Sequence, residues 1–199
     1  QYIRMLSDEE LYKATLPFIT KTGDAALEIN VSDEFPAPHV GPEYSGIALG
    51  DDGEPVCVDT SMNMSSADVK KALMELMPLI KERLKYLTEA AEMVHFLFTE
   101  PAVPAADQII PKKLDLAKTK EVLEASKEFV KALPNLDHEG SEALAREMAE
   151  KLGVKLGDFM MPIRMAVTGS RVSPPLMGSI LILGVERSLE RIERTLQTL

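Results

Sequence analysis

The segment that decides the fold runs from Met161 to Leu196 and reads MPIRMAVTGSRVSPPLMGSILILGVERSLERIERTL. Its apolar residues recur at steps of three and four, which predicts a helix up to Gly169. Glycine suits the position after a helix end because it adopts positive φ without steric cost. The pair Pro174-Pro175 then disfavours helix and predicts a stiff, extended loop. A second short helix follows as far as Gly184, and a third begins after it.

The last helix of this segment is expected to bury an aliphatic face and to expose its arginines. Leu189, Ile192 and Leu196 share one face at helical spacing. The arginines of this helix are expected to lie toward its other side, and they are Arg187, Arg191 and Arg194.

Upstream, the apolar spacing predicts further helices that form one bundle. Ser7 and Glu10 have the spacing of a capping box before a helix that ends near Pro17. A serine at position 65 or 66 begins the next helix, which Pro78 is expected to stop or kink while beginning another. The predicted helical segments are residues 6–18, 66–77, 78–98, 116–133 and 141–152. The sequence therefore predicts an all-α protein in which a helical bundle precedes a small C-terminal helical subdomain.

Residues 24–64 differ in character from the rest of the chain, because prolines, glycines and acidic residues dominate them. Within them, residues 47–49 and 56–58 are short apolar runs on either side of the sequence GDDGEP. Such runs around a glycine-rich turn predict a β-hairpin with a loop longer than two residues. We therefore expect a loop and hairpin excursion from the bundle near the N-terminus.

Charge is unevenly distributed along the chain. The 199 residues carry a net charge of −10, which is unfavourable for an RNA-binding protein. Residues 1–60 contain 3 basic and 12 acidic side chains, whereas residues 161–199 contain 5 and 3. A surface that contacts phosphates would therefore belong to the later part of the chain. Apolar runs stay far short of the ~20 residues that a membrane span needs, so no membrane partner is expected.

No residue pattern argues for catalysis or for a metal site. His39, His95 and His138 are far apart and lack the spacing of zinc ligands. Cys57 is the single cysteine, so an intrachain disulfide is impossible, which fits a reducing cytosol. A Cys57–His95 nucleophile pair and a calcium site among the acids of residues 51–59 are alternatives. A buried cysteine and a solvated turn are favoured over them.

Three stretches of the C-terminal segment together resemble the C-terminal end of bacterial-type glutamyl-tRNA synthetases, which are class I aminoacyl-tRNA synthetases. They are Pro162–Gly169 (PIRMAVTG), the turn Pro174-Pro175-Leu176 and Leu181–Ile192 (LILGVERSLERI). Residues 3–18 are similar to the family's entry to its anticodon-binding region, and residues 78–87 to its first long helix. The resemblance covers most of the chain except residues 24–64, which we interpret as an insertion.

The resemblance implies that the chain is the anticodon-binding part of a larger ligase. The family's ATP-binding signatures, HIGH and KMSKS, are absent from the sequence, so we expect no cofactor and no catalytic residue in this chain. Glutamate activation with ATP and Mg²⁺ is expected in a catalytic domain outside it, and Gln rather than Met as first residue fits that expectation. The implied partner is glutamate tRNA, with glutamine tRNA left open, and the implied setting is a cytoplasmic monomer that binds no DNA. Residues 1–112 and 113–199 are expected to form two helical anticodon-binding subdomains.

The family's motifs also imply which residues read the anticodon. Carried over onto this sequence, they are Arg164, Ser173, Pro174 and Leu176. The family commonly has threonine in place of Ser173 and glycine in place of Pro175; serine retains the hydroxyl, whereas proline removes an N–H. Arg164 is turned off the apolar stripe of its helix, so it can face this loop or solvent. Arginine suits the role because it hydrogen-bonds base edges and stacks on base faces.

A second group of cations is expected either to contact phosphates or to form a solvated, ion-paired surface. The group comprises Arg171, Arg187, Arg191, Arg194, Lys81, Arg83, Lys85 and Arg146. The rival to RNA binding is a helical protein-interaction module that retains the fold, and the acidic N-terminal segment favours that rival. The chain contains no tryptophan and few other aromatic residues, which disfavours a general single-strand binder.

Overall fold

The computed structural model describes residues 3–20 and 46–199, and its elements are almost all helical. The chain divides into two compact units, residues 1–100 and 101–199. The all-α class predicted from the apolar spacing is confirmed. The first part of the predicted insertion, residues 24–45, lies outside the described residues.

The first unit is built on helices whose starts are fixed by side-chain caps. Its helices are α1 (Asp8–Ile19), α2 (Ser66–Lys81) and α3 (Ala90–Phe98). The predicted capping box before α1 is confirmed, because Ser7 N–H donates to the Glu10 carboxylate at 2.7 Å and Glu10 N–H donates to Ser7 Oγ at 3.2 Å. Ser65 and Asp68 form the same reciprocal pair before α2. These bonds satisfy backbone N–H groups that have no partner within the first turn of a helix.

The predicted β-hairpin is present and packs against the helices of the first unit. Strands β1 (Ile47–Leu49) and β2 (Pro55–Cys57) pair antiparallel, with Ile47 opposite Cys57. The Ile47 side chain is only 1% exposed, so the hairpin contributes to the core of this unit. Gly46 has a φ of +79°, and a Cβ there would approach the Phe98 carbonyl oxygen to 2.5 Å. The hairpin is therefore fitted to the end of α3 by a close backbone approach that glycine permits.

Pro78 lies inside α2, so the prediction that it separates two helices is wrong. The helix continues to Lys81, and α3 begins only at Ala90 after a single turn of 3₁₀ helix at Leu87–Glu89. A proline removes one N–H from the helical ladder, and at position 78 that loss falls in the last turn. The bonds of the preceding turns are unaffected, and apolar packing of α2 holds the remainder.

The second unit contains six helices, of which the last three include the C-terminal segment that resembles the synthetase family. They are α4 (Ala106–Ile109), α5 (Leu116–Ala132), α6 (His138–Lys151), α7 (Leu156–Thr168), α8 (Leu176–Leu183) and α9 (Val185–Thr198). Asp115 and Asp137 cap α5 and α6 by accepting backbone N–H groups at 2.7 Å. Phe129 and Phe159 meet edge to face with ring centroids 5.8 Å apart in the centre of this core. Both rings are fully buried, and such pairs add about 0.5–1.5 kcal/mol beyond the area they bury.

The buried face of α9 is more polar than the sequence predicts. Ser188, Arg191 and Thr195 are at most 1% exposed, whereas Leu189 and Leu196 are only partly buried. The two hydroxyls donate to helix carbonyls one turn back, both at 2.8 Å, so their burial leaves no donor unsatisfied. The expectation that Arg191 lies toward the exposed side of this helix is wrong.

Candidate nucleic-acid interface

Arg164 and the loop between α7 and α8 form one site. Helix α7 ends at Gly169, which has a φ of +69° and lets the chain turn back along the helix. The Arg164 guanidinium then donates to the Pro174 carbonyl oxygen at 2.9 Å and to Ser173 Oγ. The sequence allows Arg164 to face either the loop or solvent, and in the structure it faces the loop. The structure thus brings together residues that are nine and ten positions apart in sequence.

The other implied anticodon-binding side chains are mostly buried. Ser173 and Leu176 are each 3% exposed, and Pro174 is buried beside them. The Ser173 hydroxyl also bonds the Pro174 carbonyl oxygen at 3.1 Å, while Leu176 begins α8 and joins the apolar core. In this arrangement the three side chains shape the loop and support its backbone.

The exposed side chains of the loop are those just before Ser173. Val172 is 65% exposed, and Arg171 is exposed while its guanidinium donates to the Gln108 carbonyl oxygen at 3.1 Å. Val172 N–H donates to the Ser170 hydroxyl at 3.2 Å, which fixes the backbone at this point. Reasoning from the sequence did not single out Val172, although a β-branched apolar residue in an otherwise polar loop is a signal that could have done so.

Arg191 supports the helix before the loop and cannot reach a phosphate in this arrangement. Arg191 is 1% exposed, and its guanidinium donates to the Val167 carbonyl oxygen at 2.7 Å. Val167 lies in the last turn of α7, where backbone carbonyls have no helical partner and the helix end carries partial negative charge. A buried cation is favourable there, which explains why Arg191 is drawn into the core.

Arg194 lies in an open groove between α5 and α9 whose charges are of both signs. The groove has a volume of about 430 Å³ and is lined by Lys127, Lys131, Leu189, Glu190, Glu193, Arg194 and Gln197. Arg194 donates to the Pro101 carbonyl oxygen at 2.8 Å. Hydrogen bonds from Lys127 to Glu124 and Glu193 raise the pKa of the lysine and lower the pKa of Glu193. Because these charges compensate one another, the groove is a poor phosphate site.

The remaining candidate cations differ in how far they are engaged. Lys81 is largely covered and lies 3.7 Å from Asp8, and exposed Arg146 pairs with Glu142 at 3.4 Å. Arg83 and Lys85 are exposed in the turn after α2. Arg187 is half-buried in the first half of α9. Of the candidate cations, those that face solvent are therefore Arg171, Arg83, Lys85 and Arg146.

Neither a metal cluster nor a membrane span is found in the described parts of the chain. Among residues 3–20 and 46–199, no group of three or more His, Cys, Asp or Glu side chains could hold a metal ion. None of the helices there combines the length and apolar character needed to cross a bilayer. Cys57 Sγ donates to the Phe98 carbonyl oxygen at 3.3 Å, and the His95 ring contacts the Thr99 hydroxyl.

Residues 50–196 match the family model described as an anticodon binding domain. This chain belongs to that family. The match includes α7, the loop and α8–α9, so the site around Arg164 lies within the domain that defines the family.

Proteins similar to this anticodon-binding domain are glutamate–tRNA ligases. That of Treponema denticola is 44% identical over 197 residues, covering 98% of this chain and 35% of the relative. That of Treponema pallidum (strain Nichols) is 40% identical, covering 99% of this chain and 34% of the relative. The chain thus spans about a third of the length of these curated relatives, and the resemblance to glutamyl-tRNA synthetases is confirmed.

Solved structures support the fold. A crystal structure of a glutamate tRNA ligase from Elizabethkingia meningosepticum superposes with a TM-score of 0.51, covering all of this chain and 31% of that one. A glutamate-tRNA synthetase from Elizabethkingia anophelis superposes with a TM-score of 0.50. Sequence identity is 19% in both cases, so these two matches bear on the fold alone.

Proposed function

We propose that this chain is the anticodon-binding part of a glutamate–tRNA ligase and that its partner is glutamate tRNA. The observation that carries the proposal is the contact of Arg164 with Ser173 and Pro174. These residues come from two separate motifs of the family, and they meet at one site in the domain that the family model covers. The relatives that match nearly the whole chain are glutamate–tRNA ligases, which supports the choice of tRNA.

The site offers the groups that recognition of an anticodon needs. Anticodon bases are unstacked in a loop, so their edges accept and donate hydrogen bonds and their faces accept apolar contacts. Arg164 provides a planar fork of N–H donors, and the loop from Ser173 to Leu176 provides a firm surface beside it. Arg171, Arg83, Lys85 and Arg146 face solvent and are proposed phosphate contacts. Phosphate contacts position the RNA, and base contacts supply the discrimination.

The chemistry of the ligase is proposed to occur outside this chain. A catalytic domain would use ATP and Mg²⁺ to activate glutamate and would transfer it to the tRNA, and this chain would contribute affinity and a check of identity. We propose no catalytic residue and no cofactor here. The proposed setting is a cytoplasmic monomer that binds neither DNA nor membrane. Residues 1–112 and 113–199 are proposed as two subdomains that both contact the tRNA.

The test is binding of the purified chain to glutamate tRNA, to glutamine tRNA and to a glutamate tRNA with a swapped anticodon, each at two salt concentrations. Discrimination of at least about 5-fold against the swapped anticodon is expected, since one lost base contact costs about 1–3 kcal/mol. The affinity for glutamine tRNA shows whether the chain also accepts the anticodon of that tRNA.

A helical protein-interaction module is the second candidate, and the excess of acidic residues in the first 60 positions favours it. Equal binding of the native and swapped tRNAs, or no binding at all, would contradict anticodon reading and support this alternative. Pull-down of a protein partner would then be the next measurement.

A further inference from the structure

The loop between α7 and α8 presents an exposed apolar side chain at a firmly held point. Val172 is 65% exposed, among the highest values for a large apolar residue in the described part of the chain. Single exposed apolar side chains are common and carry no argument by themselves. What distinguishes Val172 is the set of bonds that hold the backbone on both sides of it.

Before Val172, the loop is tied to the end of α7 and to α4. The Thr168 hydroxyl bonds the backbone of Ser170, with distances of 3.1 Å to its carbonyl oxygen and 3.3 Å to its nitrogen. Ser170 Oγ in turn accepts the N–H of Val172 at 3.2 Å. Arg171 reaches the Gln108 carbonyl oxygen at 3.1 Å, which ties the residue next to Val172 to the end of α4.

After Val172, the loop is tied to α7 by Arg164. The guanidinium donates to Ser173 Oγ and to the Pro174 carbonyl oxygen, and prolines 174 and 175 restrict their own φ angles. The entropic cost of ordering this backbone is therefore met when the chain folds. A ligand that contacts Val172 does not have to offset that cost on binding. Apolar contact made by a rigid group contributes more net affinity than the same contact made by a mobile one.

We propose that Val172 packs against the face of an anticodon base, and that Arg164, in addition to facing the base edges, positions Val172 through its bonds to Ser173 and Pro174. The inference rests on the proposed function. Ser173, Pro174 and Leu176 are the residues implied to read the anticodon, but their side chains are buried. The exposed side chains nearest to them in sequence are those of Val172 and Arg171, so an anticodon base at this loop would contact these two. An apolar side chain and a cation side by side suit a nucleotide, which has an apolar face and a charged phosphate.

The test compares Val172→Ala and Val172→Asp with the same changes at Val58. Val58 is a matched control because it is also an exposed valine, at 57%, and it lies in the first unit next to β2. Val172→Ala should weaken binding of glutamate tRNA by about 4- to 15-fold, as expected when one or both of the methyl groups that it removes are buried against the base. Val172→Asp should weaken it further because a carboxylate would face the RNA, whereas both Val58 variants should bind within about 2-fold of the unmodified chain. Thermal unfolding should be nearly unchanged by all four substitutions.

The positioning role of Arg164 is tested by a double-mutant cycle. If Arg164 acts through the loop, Val172→Ala should lower affinity much less in an Arg164→Ala chain than in the unmodified chain, since the two effects then couple. Hydrogen exchange of the backbone amides of residues 170–173 in the free chain should also become faster in Arg164→Ala. Additive effects with unchanged exchange would overturn the positioning role.

The remaining outcomes separate the inference from the function on which it rests. Tight, anticodon-dependent binding that both Val172 variants retain would overturn the base contact and leave the proposed function intact. Failure of the unmodified chain to bind tRNA would overturn the proposed function and this inference together. An equal loss of affinity in the Val58 and Val172 aspartate variants would show a general charge effect and would also overturn the contact.

Discussion

Replacement of Arg164 by alanine is the sharpest perturbation of the site. The substitution removes donors to the Pro174 carbonyl oxygen, at 2.9 Å, and to Ser173 Oγ. A hydrogen bond with a charged donor contributes about 1.5–3 kcal/mol. Because the site is half-buried, water can only partly replace the lost donor at the two loop oxygens. We therefore expect the free chain to lose about 1–3 kcal/mol of unfolding free energy, more than the ~0.5 kcal/mol typical of an exposed position.

The effect of Arg164→Ala on tRNA binding should depend on the anticodon. Affinity for glutamate tRNA should fall by about 5- to 150-fold, which corresponds to the 1–3 kcal/mol of one base contact or of the loop that makes it. Affinity for the anticodon-swapped tRNA should change far less. A phosphate contact would instead weaken both tRNAs alike and reduce the slope of log K against log salt by about one unit.

Two further variants complete the assay. Arg164→Lys keeps the charge but loses the planar fork, so it should recover little of the discrimination. Lys151→Ala removes an exposed cation that pairs with Glu147 on α6, and it serves as the control for loss of one positive charge. The reasoning is refuted if Arg164→Ala binds both tRNAs with the same affinities as the unmodified chain while remaining folded.

Three other predictions concern the fold that supports the site. Arg191→Leu should lower the unfolding free energy by about 1–3 kcal/mol, because the buried Val167 carbonyl oxygen loses its donor, and Arg191→Lys should not restore it; chemical denaturation of both variants provides the measurement. Gly46→Ala should destabilise the first unit more than Gly53→Ala, since both glycines have positive φ but only Gly46 lies against the Phe98 backbone, and equal melting temperatures would contradict this. Hydrogen bonds from the Ser7 backbone and side chain lower the pKa of Glu10. The stabilising contribution of Glu10 should therefore be present at neutral pH and be lost as the pH falls through that lowered pKa. In Ser7→Ala, the unfolding free energy measured across the acidic range should depend less on pH.

Where local chemistry decides the structure, the sequence was sufficient. The capping box of Ser7 and Glu10 and the helix end at Gly169 both follow from short-range spacing. Each depends on residues within about ten positions of one another, so no knowledge of the tertiary fold is needed. The hairpin was predicted for the same reason, from a glycine-rich turn between apolar runs.

Tertiary contacts explain what the sequence did not reveal. Arg191 is buried because it donates to a carbonyl oxygen at the end of α7, 24 positions away, that has no helical donor. The residue pattern within α9 gives no indication of this contact. Pro78 is accommodated because helix packing outweighs the loss of one hydrogen bond. Burial of the Ser173 and Leu176 side chains, and exposure of Val172 between anchored neighbours, depend on how α7 and α8 are brought together.

The mutual pairing of charges in the groove between α5 and α9 has a consequence for the speed of binding. Lys127 is held by Glu124 and Glu193, and the chain as a whole is strongly acidic, so its long-range field opposes the approach of an RNA. Association should then proceed without favourable electrostatic steering, at or below about 10⁵–10⁶ M⁻¹s⁻¹, and should become faster as added salt screens the repulsion. Correct and incorrect tRNAs would meet the chain equally often, and they would be told apart by how long each one stays.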